Sequence, residues 1–279
     1  MKTIIGLLNP VIRSFANRLR PSNPLRKWAS KVWAVYLSST ASDVRIRLNN
    51  ELTWVLPHWR SLDQNYEQKT LASFVETVKP GHVVWDVGAH VGLFSIVAAR
   101  RVGSQGQVVA WEPTPRAFEN LQHHLKANGL EAQTQCFQEA VNDGKTSEIV
   151  FQLDAANETS FANRISYNAA NEKLHREIKV HCRSLDEWAQ KLERRPDIIK
   201  MDIEGAEIFA LRGAVRLLRG EFGKRPKILL AVHPASIHQY GSTCDELAEL
   251  VQSLGYKVEK IHAASGTLYD FGEVWLTPT

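Results

Sequence analysis

An α/β fold built on a doubly wound, mostly parallel sheet is what this chain predicts, and three observations carry it. From Val83 onward, short β-branched runs alternate with amphipathic helical patterns, the signature of a sheet wrapped by helices. The run from Val83 to Phe94 reads as a buried strand, a glycine turn and the start of a helix. Asp86 stands at the end of that strand, and the next one, from Gln107, also ends on a carboxylate, Glu112.

The elements follow in order. Residues 1–80 read as an N-terminal extension and cap, and residues 81–279 as the main domain. Ile4, Ile5, Leu7 and Leu8 form an apolar run too short to span a bilayer, and no clear cleavage site follows it. Ile12, Phe15 and Leu19 line one face of a basic amphipathic helix. Packing on the domain or on a partner is the stronger expectation for it; peripheral contact with an anionic membrane is the other. Val44, Ile46 and Leu48 alternate ahead of Asn49-Asn50, which predicts a strand pair over Arg45 to Leu56. Gln64 to Val78 reads as a helix ended by Pro80-Gly81.

In the main domain, Pro113 and Thr114 start a helix carrying Phe118, Leu121 and Leu125. Ala132 to Val141 reads as a third strand, and Glu148 to Leu153 as a strand running back. Asp197 to Asp202 is a fourth strand, followed by one helix carrying Ile208, Leu211, Val215 and Leu218. Lys227 to His233 is a fifth. An amphipathic helix through Leu247, Leu250, Val251 and Leu254 precedes two closing strands, which would place an antiparallel strand in the sheet.

Composition excludes some functions. A net charge of +4 is too small to argue for nucleic acid, and none is expected as a partner. Cys136, Cys182 and Cys244 form no C-x-x-C pair, so neither a disulfide framework nor a zinc site is signalled, and a reducing, cytoplasmic setting fits.

The glycine spacing is D-x-G-x-x-x-G, not the G-x-G-x-x-G of dinucleotide enzymes. Glycine removes Cβ, so a ligand can lie against the backbone. Asp86 beside it suits a cationic or amine-bearing cofactor better than a pyrophosphate. Glu112, 24 residues after Gly88, is placed to hold a ribose diol. The rival reading makes Asp86 a helix cap and Glu112 a solvated strand end.

Together these residues resemble a class I S-adenosylmethionine-dependent methyltransferase, and within that superfamily the FkbM family. The resemblance covers about residues 80–278. Its motifs are Val84 to Gly92, Glu112-Pro113 with Asn120 and Asn128, Ser184-Leu185-Asp186, Ile199 to Glu207, and His233-Pro234. One departure stands out: where the family often carries a glutamate two residues before the histidine, this chain has Ala231. The resemblance implies a Rossmann-like, seven-stranded sheet with an antiparallel C-terminal strand, and S-adenosylmethionine as cofactor. Asp86, Gly88, Ala89 and Gly92 would line its methionine and ribose side. Glu112 would take the ribose, and Glu139 the adenine amino group, with Ala140 near the base.

Catalytic candidates gather where the fourth and fifth strands end: Asp202, Glu204 and His233. His233 is expected as general base, with a pKa near neutrality; Asp202 would orient it or take the proton directly, and Glu204 would bind the acceptor or cap the helix that begins at Gly205. Lys200 is expected to pair with a carboxylate. The bland alternative makes Asp202, Glu204 and Glu207 partners of a helix dipole. A divalent metal on Asp202, Glu204 and His233 is chemically compatible but not favoured, since no spacing demands it. The resemblance implies O-methylation of a sugar, glycan or small metabolite. Trp54, Trp59 and Trp85 are candidate sugar platforms or core residues, and the segment from Asn157 to Tyr167 is a candidate lid. A catalytically silent nucleoside-binding or scaffold protein is the alternative function.

Overall fold

The computed structural model describes residues 43–59, 67–154, 164–165, 175–261 and 267–279. The expected basic helix and most of the expected lid lie outside these residues.

The chain opens with a hairpin, β1 (Val44–Leu48) and β2 (Glu51–Val55), paired antiparallel from Val44↔Val55 to Leu48↔Glu51. Asn49 and Asn50 both have positive φ, 48° and 62°, as a two-residue hairpin turn requires. Helix α1 (Gln68–Thr77) follows, then β3 (Val83–Val87), α2 (Leu93–Val102), β4 (Gln107–Trp111), α3 (Pro115–Ala127) and β5 (Thr134–Phe137). After β6 (Ala140–Val141), β7 (Glu148–Asp154), β8 (Arg164–Ile165) and β9 (His175–Arg183) comes α4 (Leu185–Lys191). The chain closes with β10 (Ile198–Met201), α5 (Glu207–Arg212), α6 (Val215–Leu218), β11 (Lys227–Val232), α7 (Pro234–Gln239), α8 (Cys244–Ser253), β12 (Tyr256–Lys260) and β13 (Gly272–Pro278).

Seven strands form the main sheet in the order β12-β13-β11-β10-β3-β4-β5. The five from β11 to β5 are parallel, and β13 is antiparallel to both β11 and β12. The expected antiparallel ending is present, with the last strand inserted between β11 and β12. Because β3 leads to β4 on one side while β10 lies on the other, the strand order reverses between β3 and β10. In open α/β sheets ligands bind outside the carboxyl ends of the strands at such a point.

Two apolar layers sandwich the sheet. Alternation along β3 sends Trp85 and Val87 to the layer holding Trp111, Trp188, Met201 and Ile208. It sends Val84 to the layer holding Phe74, Ile96 and Leu121. Trp111 meets Trp85 and Trp188 edge-on, at 5.2 and 5.4 Å between rings; offset and edge-on pairs add about 0.5–1.5 kcal/mol beyond burial. Ile46, Leu48 and Val55 of the hairpin and Leu71, Phe74 and Val78 around α1 belong to the second layer, so these parts of the extension share the domain's core. Asn128 docks the hairpin like an extra strand: its side chain accepts from Trp54 N (3.0 Å) and donates to Trp54 O (2.8 Å). Among the described residues no helix is long and apolar enough to cross a membrane.

Two local expectations change. The third strand is two: β5 stays in the main sheet and β6 joins a second, four-stranded sheet ordered β6-β9-β7-β8. The strand expected from Glu148 is present as β7, antiparallel to β9 and β8 in that second sheet. The single helix after the fourth strand is two short ones, because the chain leaves helical φ at Ala214 (−121°).

Candidate active site

A cleft opens at the carboxyl ends of β3, β4 and β10, with about 970 Å³ of space counted to its open mouth. Its cofactor-side wall is the loop after β3. Gly88 N and Ala89 N both donate to Trp111 O, at 3.0 and 2.9 Å, which ties this loop to the tip of β4. Gly88 has φ +79°, and a Cβ there would stand 1.9 Å from the Asp202 carbonyl oxygen. Gly92 has φ +89°, and its Cβ would meet Leu121 Cδ1 at 2.5 Å. The two glycines are thus required by backbone conformation and by the approach of other chain segments.

Glu112 is 5% exposed and lines the cleft. Its Oε1 accepts from Thr114 N (2.8 Å) and Thr114 Oγ1 (2.6 Å), and its Oε2 accepts from His90 N (2.9 Å). A carboxylate has about four acceptor positions, so one on Oε2 is left for a hydroxyl. Glu139 also borders the cleft. Its buried Oε2 makes no hydrogen bond, although Arg183 Nε lies 3.4 Å away.

Behind this wall lies an ion group. Asp86 is 1% exposed and faces α2, where Oδ2 accepts from Ser95 Oγ at 2.6 Å. Lys200 Nζ donates to Gly88 O (3.0 Å) and stands 3.6 Å from Asp86 Oδ1 and 3.5 Å from Asp202 Oδ2. Burial alone would lower the Lys200 pKa, but Asp202 and Asp86 outweigh it and push it up, so the ammonium stays charged. One buried cation therefore joins the glycine loop, the first motif's aspartate and the carboxylate at the tip of β10.

The opposite wall is a turn from Asp202 to Gly205. Glu204 adopts φ +56°, a conformation non-glycine residues occupy at a cost. The turn carries its carboxylate into the cleft. Burial first, then the neighbouring Asp202, raise the Glu204 pKa to about 7, with His233 opposing. His233, just past β11, lies behind these two acids. Its Nδ1 is 3.0 Å from Glu207 Oε1, which also accepts from Ile203 N at 3.0 Å, and Glu207 is wholly buried. Its Nε2 stands 3.7 Å from both Asp202 Oδ1 and Glu204 Oε2, too far for a hydrogen bond. Burial would lower the imidazole's pKa, but the hydrogen bond to Glu207 and the charges of Glu207, Asp202 and Glu204 push it up to about 9.

A pKa held up at about 9 disfavours the neutral imidazole that the expected general-base role of His233 requires, while Glu204, raised to about 7, is a second candidate proton acceptor. Asp202, Glu207 and His233 offer ligand atoms within 4.8 Å of one another, a spacing that also suits a cation. The raised pKa of His233 favours an imidazolium, which supplies positive charge there.

Of the nine expected site residues, Gly88, Ala89, Glu112, Glu139, Asp202 and Glu204 line the cleft. Asp86, Gly92 and His233 do not: Asp86 faces α2, Gly92 packs on Leu121, and His233 backs the acids. Lys200 and Glu207 were underrated, the first as a simple ion-pair partner and the second as a helix-dipole residue. Their signal was spacing, since both flank the Asp202-Ile203-Glu204 run. The expected sugar platforms do not face the cleft. Trp85 is in the core, Trp59 is buried with its ring edge-on to His90 at 5.2 Å, and Trp54 is covered by the Arg45 guanidinium at 4.3 Å. Ala231, where the family often has glutamate, lies across from Glu273, whose carboxylate accepts from Thr70 Oγ1 at 3.0 Å.

The sequence can now be set against known proteins. It is 25% identical over 165 residues to hexuronic acid methyltransferase AglP of Haloferax volcanii, covering 58% of this chain and 62% of that protein. It is 27% identical over 210 residues to AMB antimetabolite synthetase AmbE of Pseudomonas aeruginosa, covering 64% of this chain and 10% of that one. The chain thus spans less than two thirds of the length of either curated relative. Among solved structures it is loosely similar to a SAM-dependent O-methyltransferase from Thermotoga maritima, with a TM-score of 0.45, 14% identity and coverage of 84% of this chain and 77% of that one. It is likewise loosely similar to Aeropyrum pernix fibrillarin bound to S-adenosyl-L-methionine, with a TM-score of 0.44, 12% identity and coverage of 85% and 82%. The Methyltransferase FkbM domain matches residues 86–258, well over half of the chain. With that match laid over the strands that build the cleft, the chain belongs to the FkbM family of methyltransferases.

Proposed function

We propose that the cleft binds S-adenosylmethionine and that the chain transfers its methyl group to a neutral hydroxyl of a sugar, glycan or small metabolite. The observation that carries this reading is the pairing, in one cleft, of Glu112 with a spare acceptor position and Glu204 with a pKa raised to about 7.

The residues present fit the cofactor. The buried Glu139 Oε2 lacks a hydrogen bond, as an acceptor for an adenine amino group should. Glu112 Oε2 can take a ribose hydroxyl, and the Gly88 loop supplies a wall of backbone. The bound cofactor brings an electrophilic methyl group on a cationic sulfur. The chain's own work is alignment, which can supply roughly 7–11 kcal/mol in favourable cases, and proton removal, worth about 10²–10⁴-fold. Glu204 accepts the hydroxyl proton. Asp202, held by Lys200, orients the hydroxyl, and the His233 imidazolium, fixed by Glu207, stabilises the ionised form of Glu204.

The similarity to a hexuronic acid methyltransferase supports a sugar as the acceptor class.

Calorimetry with S-adenosylhomocysteine, followed by transfer of a labelled methyl group to a panel of methyl glycosides, tests the reading. Binding and label in a sugar ether are expected. No heat and no thermal shift with the nucleoside would remove the cofactor assignment, whereas binding without sugar labelling would remove the acceptor class alone.

A further inference from the structure

We propose that His124 is a positioning residue of the cofactor site: oriented by the N-terminal hairpin, it holds the loop that shapes the cleft. The proposal rests on the cofactor reading above. His124 lies in the last turn of α3 and is wholly buried. Leu56 N donates to its Nε2 at 3.0 Å, and its Nδ1 stands 2.8 Å from Val91 O. A backbone N–H can only donate and a carbonyl can only accept, so the ring is the neutral Nδ1–H tautomer, with each nitrogen committed to one chain segment. Leu56 follows β2 of the hairpin. Val91 belongs to the loop after β3 and lines the cleft.

That loop is held at successive residues. Gly88 N and Ala89 N donate to Trp111 O, and His90 N donates to Glu112 Oε2 at 2.9 Å. Those bonds run to the neighbouring strand end, whereas the one at Val91 runs to His124 on α3. A shift at Val91 moves its neighbour His90, and with it the N–H that sets Glu112, the proposed ribose acceptor. The hairpin that orients the ring is itself fixed to α2: Arg100 donates to Thr53 Oγ1 at 2.7 Å and to Leu52 O at 3.1 Å. Just past the hairpin, Trp59 packs edge-on against His90, which lines the cleft. Ile46, Leu48 and Val55 dock the hairpin in the same apolar layer as Leu121 and Leu125 of α3. A leucine at position 124 would suit that layer and would avoid burying two polar atoms, which costs free energy unless both are paired. What histidine adds is register, because a fully satisfied polar contact accepts one arrangement of loop and hairpin where apolar contacts tolerate several.

Two substitutions separate positioning from plain packing, because each keeps one of the two bonds. The amide nitrogen of Asn is as many bonds from Cα as Nδ1 is, so His124→Asn keeps a donor for Val91 O. The amide oxygen of Gln is as many bonds from Cα as Nε2 is, so His124→Gln keeps an acceptor for Leu56 N. Each leaves one backbone group unpaired, so both should unfold at lower urea. Calorimetry with S-adenosylhomocysteine should then split them, with affinity within about twofold of wild type for His124→Asn and about tenfold weaker for His124→Gln. Equal affinity in wild type and His124→Gln, or the same loss in both variants, would overturn the assignment and leave the cofactor reading standing. A wild type that does not bind the nucleoside would overturn both. Histidine nitrogen NMR of the wild type needs no variant: the buried ring should carry its proton on Nδ1, and S-adenosylhomocysteine should slow the exchange of that proton, since coupling between two sites is reciprocal. A proton on Nε2, or an exchange rate that the bound nucleoside leaves unchanged, would overturn the proposal.

Discussion

The cleft has two acidic walls that differ in how completely their polar groups are satisfied. On the cofactor side, Glu112 accepts three hydrogen bonds from the loops after β3 and β4, and Asp86 Oδ2 accepts from Ser95, while Glu139 Oε2 is left without a hydrogen bond. On the acceptor side, Asp202 and Glu204 face the His233 ring across gaps of 3.7 Å, and Glu204 sits on a strained backbone with a raised pKa. Satisfied groups hold a shape and bind, while unsatisfied and strained ones are ready to react. Lys200, touching Gly88, Asp86 and Asp202, is the link between the walls.

The largest effect should come from breaking that link. Lys200→Met leaves the Asp86 carboxylate buried and unpaired, and the expected loss is about 3–5 kcal/mol of stability. Urea denaturation measures it, and Asp86→Asn in the same chain should recover much of the loss. If the single variant is as stable as wild type, the two walls are not coupled through this cation.

Next comes chemistry. Glu204→Gln should lower kcat by about 10²–10⁴-fold, with S-adenosylhomocysteine affinity unchanged by calorimetry. Glu112→Gln should do the converse, weakening nucleoside affinity by about tenfold, as loss of a hydrogen bond to a charged acceptor does, with a smaller change in kcat. Equal behaviour of the two variants would erase the contrast between the walls.

pH sharpens it further. Glu204 must be ionised to take a proton, so kcat/KM should rise as pH passes about 7, and fall beyond about 9 as the His233 imidazolium is lost. The smallest effect is on stability. Glu204's pKa is raised in the fold from an ordinary 4.5 to about 7, so the stability it contributes is present below 4.5 and lost as pH rises through about 7. His233's pKa is raised from 6.5 to about 9, so its contribution is present below 6.5 and lost through about 9. Both favour the folded state at lower pH. Glu204→Gln should therefore raise the thermal midpoint near about pH 8 while lowering turnover. A midpoint that falls there would show that the carboxylate is not held against its preference.

Much of the fold was legible because strands and helices announce themselves locally. The run from Val83 to Val87, the paired asparagines at 49 and 50 and the capping sequence at Thr243 to Glu246 each settle their own stretch through backbone and side-chain preferences. The stretch from Ala132 to Val141 misled, because which sheet a strand joins depends on partners such as β9, far along the chain. At the site, the residue types at strand tips could be read, but not the side of the sheet each would face. Asp86 looked like a ligand contact until the alternation of β3 turned it toward Ser95.

By itself, then, the sequence determined the order of elements, the glycine turn and the family, because those rest on spacing along the chain. Only the tertiary structure decided that Gly88 makes room for the Asp202 carbonyl, that Lys200 bridges both walls, and that the pKa values of His233 and Glu204 are both pushed up. The reason is physical: a proton's position and a Cβ's clearance depend on the distances and dielectric around them, and these are set where separate strand ends meet, Lys200 reaching Gly88, 112 positions away, and His233 reaching Glu207, 26 positions away.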